Sequence, residues 1–125
     1  MLLRRRRQAQ PKTIAQALDQ LPSGWHVVAN GREYVVVGPG GVFALNTDGE
    51  LAQATAERLN VEIEQQTGIG LWVKPVAVRS SDREPAPADV ACVAVAELAA
   101  WLGAIPGWLS LRQRRAIQLA LDASF

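Results

Sequence analysis

Cysteine is nearly absent. Cys92 is the only one in 125 residues and lies in the apolar run VACVAV, so the chain can close no internal disulfide and build no cysteine-rich metal site. That usage fits the cell interior. Long apolar runs are missing as well: MLLRRRR has the charge of a secretory n-region, but no apolar stretch follows it. No span reaches the length needed to cross a bilayer. The sequence therefore predicts a soluble, cytoplasmic protein with no membrane contact. Low-complexity tracts and internal repeats are lacking. A strong charge of one sign is lacking too, since the formal net charge is +1. Arg4, Arg5, Arg6 and Arg7 stand together, and without them nine positive side chains face twelve negative ones, a net of about −3. Nucleic-acid affinity is thus not expected from the body of the chain alone, whereas the four arginines are candidates for phosphate contacts.

What is present suits one packed domain. The chain is 49% hydrophobic and long enough to bury a real core. Residues 1–11 read as a basic flexible arm, being polar, charged and without periodicity, and residues 12–125 as a single domain. In KTIAQALDQL, Ile14, Ala17, Leu18 and Leu21 fall at helical spacing, with PSG as a stop. WHVVAN, EYVVVG and VFALNT are β-rich runs separated by Asn30-Gly31 and by GPGG, which predicts a three-strand meander. ELAQATAERLNVEIEQQTG carries Ala52, Ala56, Leu59 and Ile63 on one stripe, an amphipathic helix. GLWVKPVAVRS reads as a strand returning parallel to a neighbour after that crossover. SDREPAPAD is a surface loop, VACVAV a buried strand, and AELAAWLGAIPGW a helix broken by Gly103 and Pro106. The last helix opens with Ser110 and Gln113 at capping-box spacing and turns Ile117, Ala120 and Leu121 inward.

The central hairpin has a definite register. Pairing around Pro39-Gly40, with a two-residue or a four-residue loop, sets Glu33 opposite Asn46, and directly opposed side chains have Cβ atoms about 4.5 to 5.5 Å apart. Asp48 lies two residues on, on the same face. Val35, Val37, Val42 and Ala44 continue that face, and Tyr34, Val36, Phe43 and Leu45 form the other. Both faces are apolar, so helices are expected on both sides.

LPSGWHVV, VVVGPGGVFALNT, WVKPVAV and WLGAIPGWLSLRQRRAIQLAL resemble blocks of the nuclease-related domain (NERD) family, over most of the chain from about Ile14 onward. The resemblance implies an α/β fold of the restriction-endonuclease-like, PD-(D/E)xK kind. Its order would be a helix, a three-strand meander, a helix, a strand, then a strand and two C-terminal helices around a mixed sheet. It also implies a site at which two carboxylates on neighbouring strands hold magnesium or manganese against a scissile phosphate while a lysine orients the attacking water. The family pattern is an Ile-Asp-His triplet, the VVVGPGGVF block, then an acid, a spacer and a lysine. Matched to it, the first acid falls on Glu33, the histidine on Tyr34, the second acid on Asn46 and the lysine on Asp48. Glutamate lengthens the first arm, asparagine removes the second charge, and aspartate inverts the third. The family's first-helix glutamate has no counterpart in QPKTIA, the structure usual before the next helix is shortened to NTDGELAQ, and Gln53 matches a glutamine common there.

The resemblance therefore implies a degenerate site of Glu33, Asn46 and Asp48, impaired or inactive as a catalyst, with a DNA-associated binding or assembly role. Losing a positioned acid–base or electrostatic group typically costs about a hundredfold in rate. A second reading is a weak divalent-metal-dependent nuclease, with Glu33 and Asp48 as metal ligands beside Glu50 and a lysine supplied by Lys12 or Lys74. A third is a protein interaction module on the same scaffold. Against all three stands the plain reading of Asn46 to Gly49 as a turn.

Other combinations carry less chemistry. GPGG is followed by no Lys-Ser or Lys-Thr and no helix, so it is read as a turn in which Gly40 supplies a positive φ after Pro39. His26 and Cys92 have the types of a base and a nucleophile, but both sit in apolar strands and are read as core. Trp101 and Trp108 are expected to pack the terminal helices on the sheet, an exposed one suiting a partner surface. Arg112, Arg114 and Arg115 are read as surface charge.

Overall fold

Apolar residues on both faces of the central strands demand cover on both sides, and the chain supplies it with helices, four of them among the described residues. The structure, a computed structural model, describes residues 11–80 and 90–124. The arginines at 4–7 and the segment 81–89, read above as a basic arm and a surface loop, lie outside the described residues. The order is α1 (Ile14–Leu18), β1 (His26–Asn30), β2 (Glu33–Gly38), β3 (Gly41–Asn46), α2 (Gly49–Thr67), β4 (Lys74–Arg79), β5 (Ala91–Ala94), a 3₁₀ turn at Val95–Glu97, α3 (Leu98–Gly103) and α4 (Leu111–Ser124). The five strands lie in one sheet in chain order, β1-β2-β3-β4-β5. The meander β1-β2-β3 is antiparallel, and β3-β4 and β4-β5 are parallel.

The hairpin register is the one the turn residues predict. Tyr34 pairs with Leu45, Val35 with Ala44 and Gly38 with Gly41, so the loop is the two-residue Pro39-Gly40. The β1-β2 turn is equally tight, Asn30 pairing with Glu33 across Gly31-Arg32. Gly31 has φ +64° and Arg32 does not have a positive φ, the signature of a type II′ turn. At the second turn the positive φ falls on Gly41 (+135°) and not on Gly40. Proline at the second position and glycine at the fourth of a type I turn explain the shift.

The two faces bury separate cores. Val36, Phe43, Leu45, Val76, Val78 and Val93 face Ile14, Ala17 and Leu18 of α1 and Leu98 and Leu102 of α3. Val35, Val37, Val42 and Ala44 face Ala56, Leu59 and Ile63 of α2 and Ile117 and Leu121 of α4. Each fully buried Leu or Ile contributes about 1.5–3 kcal/mol. α1 is shorter than its apolar spacing predicts. Its backbone tightens to 3₁₀-type bonds, Gln20 to Ala17 and Leu21 to Leu18, before Pro22, and Leu21 still packs on the core. α4 begins with the predicted capping box: Ser110 N–H donates to Gln113 Oε1 (2.9 Å), and Gln113 N–H donates to Ser110 Oγ (3.1 Å). Among the described residues no helix is long and apolar enough to cross a membrane.

Candidate functional site

Glu33 opens β2 and Asn46 closes β3, so the hairpin register places them side by side on the α2 face, and the chain then turns directly into α2. Asn46 is 3% exposed and its Oδ1 accepts from the Asp48 N–H at 3.0 Å, a local Asx turn. Asp48 is the N-cap of α2, and its Oδ1 accepts from the N–H groups of Glu50 (2.9 Å) and Leu51 (3.3 Å). Glu33 Oε1 accepts from Thr55 Oγ1 at 2.7 Å and lies 3.6 Å from Arg58 Nη2. Thr55 and Arg58 come from the second and third turns of α2 and carried no signal in the sequence. Their relation to Glu33 spans the fold, and only the crossover helix creates it.

These side chains border a cleft of about 310 Å³ lined by Arg32, Glu33, Asn46, Leu51, Thr55 and Arg58. Asp48 is not among its lining residues. The donor set is a poor fit for magnesium or manganese. A hard cation takes oxygen ligands and is favoured by uncompensated carboxylates, yet one Glu33 oxygen holds a hydroxyl beside a guanidinium and one Asp48 oxygen holds two backbone amides. Among the described residues no three His, Cys, Asp or Glu side chains come together as a metal site.

Neither candidate lysine lines this cleft. Lys12 lies in a separate pocket with Thr13, Ile14, Arg32, Tyr34 and Thr47, on the α1 side to which Tyr34 turns. Lys74 pairs with Phe43, whereas Asn46 pairs with Ala77. Three residues of strand, about 10 Å, separate the two levels. Gln53 lines another cleft with Glu57, Asn60 and Trp72. His26 and Cys92 sit on opposite edge strands, four strand spacings or roughly 19 Å apart, so they form no dyad. His26 is not core: its Nε2 meets Asp122 Oδ1 at 3.1 Å in a half-exposed pair. Cys92 Sγ points to Val90 O at 3.6 Å.

GPGG is a packing platform. A Cβ on Gly38 would lie 2.4 Å from the Trp25 ring, and one on Gly40 would lie 2.8 Å from Ile105. Pro39 O accepts from the N–H groups of Trp108 (2.8 Å) and Leu109 (3.1 Å), and Gly40 O accepts from Trp108 Nε1 at 2.9 Å. The strand β3 follows at once, so no helix end is offered to a phosphate. Trp101 packs edge-on against Phe43, centroids 5.9 Å apart, while Trp108 stays 58% exposed. Comparison of the chain with protein-family models, curated proteins and solved structures finds no match.

Proposed function

We propose that this chain is a nuclease-related scaffold of the restriction-endonuclease-like kind whose cutting centre has passed to structural use, and that it serves in DNA-associated binding or assembly. The observation that carries the reading is the employment of the three matched positions. Glu33 is held by Thr55 and Arg58, Asn46 shapes the entry to α2, and Asp48 caps it. Side chains so engaged stabilise the joint between hairpin and helix, and no lysine stands among the described residues that line the cleft beside them. The DNA component rests on the family resemblance and on Arg4 to Arg7.

Plasmid incubated with the protein and magnesium or manganese is expected to stay intact; cleavage abolished by Glu33→Ala would restore the nuclease reading. Labelled duplex titrated across salt is expected to bind with a log–log slope of roughly −3 to −4, as four phosphate contacts give. Replacing Arg4 to Arg7 together by alanine is expected to flatten that slope. A protein that binds no duplex at low salt is not DNA-associated in this sense, and the scaffold would then be an interaction module.

A further inference from the structure

A roomier cleft than the one beside Glu33 lies at the other end of the sheet, where the three parallel strands begin. It encloses about 550 Å³, within the range of ligand sites, and its walls include Phe43, Trp72, Trp101, Ile105 and Trp108; among the described lining residues Lys74 is the charged group and none is a carboxylate. Trp72 is 76% and Trp108 58% exposed. Large aromatics left in water around one concavity mark a contact surface. Two of the indoles are held in place before any ligand arrives: Trp108 by its bond to Gly40 O, and Trp101 by the row Trp25, Phe43, Trp101, whose centroids are 6.1 and 5.9 Å apart. Fixed rings lose little freedom on binding. Trp72 carries no hydrogen bond among the described residues, and its face is open. Lys74 is exposed and forms no ion pair there.

We infer that this cleft binds single-stranded DNA, its bases stacking on Trp72 and Trp108 and a phosphate meeting Lys74. The inference deepens the DNA reading above and rests on it. Charge complementarity selects the occupant: flat apolar rings joined by a negative linker match indole faces around one ammonium, with no acid among the described lining residues. A duplex hides its base faces and does not match. Because stacking supplies most of the affinity, the mildly acidic body of the chain is no obstacle.

The full chain should be titrated with a dT oligonucleotide of about 12 nucleotides, within the usual single-strand site range, following tryptophan fluorescence, and in parallel with a duplex of equal length. The expected result is quenching by dT that Trp72→Ala weakens about tenfold or more, and a salt slope that Lys74→Ala reduces by about 0.7. Trp72 is too exposed for its loss to unfold the chain. Absence of quenching at saturating dT, or equal dT affinity in Trp72→Ala, overturns the assignment, as does quenching by a proline-rich peptide that dT cannot displace. Duplex binding that depends on Arg4 to Arg7, without dT quenching, sinks the cleft alone. Quenching by dT without duplex binding upholds the cleft and sinks the duplex reading of the arm.

Discussion

Asp48 shows how one side chain can settle between a chemical and a structural role. Its Oδ1 satisfies two of the amide groups that the first turn of α2 leaves unpaired, and a helix N-terminus favours the negative charge. Asp48→Ala is expected to lower stability by about 1 kcal/mol, whereas Asp48→Asn or Asp48→Ser, which also cap well, should keep most of it. Urea unfolding of the three variants separates capping from a need for carboxylate as such: an asparagine as costly as the alanine would show that the charge serves something other than the cap. Gly38 illustrates the opposite case, a residue defined by what it lacks. Its φ is not positive, so the constraint there is steric, the Trp25 ring occupying the place of a Cβ. Gly38→Ala is expected to cost about 1–3 kcal/mol by overpacking, measurable as a shift in urea midpoint at unchanged slope. A neutral Gly38→Ala would mean that Trp25 is free to move aside.

At the scale of elements, periodicity was the readable signal, because burial on one face imposes it. The stripe Ala52, Ala56, Leu59 and Ile63 is buried as its spacing predicts, and the alternation along the hairpin sorts correctly into the two cores. The turn dipeptides fixed the register, since a two-residue loop leaves the strands no freedom to slip. Contacts across the fold were not readable. Nothing local in Thr55 or Arg58 announces Glu33, 22 residues away from Thr55, and nothing in the sequence distinguishes the exposed Trp72 from the packed Trp101. The site was thus legible as a set of positions and not as a set of bonds. The phase of α4 gives a direct test of the periodic reading. Leu121 is fully buried and Leu119 is 73% exposed, two residues apart on opposite sides of one helix. Leu121→Ala should cost about 2–5 kcal/mol, and Leu119→Ala should stay within about 0.5 kcal/mol. Thermal unfolding of the pair would expose any rotation of the helix, which would exchange the two effects.

At the scale of the whole molecule, the two ends of the sheet differ in the side chains they gather. Where β3 runs out, the matched positions tie the hairpin to α2; where β3, β4 and β5 begin, aromatic rings surround a cleft of about 550 Å³. Stability is a whole-molecule readout that tells these ends apart without any assay of activity. A ligand that binds only the native state raises stability by RT ln(1 + [L]/Kd), about 2.7 kcal/mol at a hundredfold excess over Kd. If Glu33 and Asp48 still formed a metal centre, manganese would have to displace Thr55 and the guanidinium of Arg58 from one and leave the cap of α2 intact at the other. Millimolar manganese is therefore expected to leave the melting midpoint unchanged in the native sequence and in Glu33→Gln alike. A rise in midpoint that Glu33→Gln removes would place a metal at the hairpin joint, and the polar cluster would then be a working cation site whose hydroxyl and guanidinium contacts give way on binding.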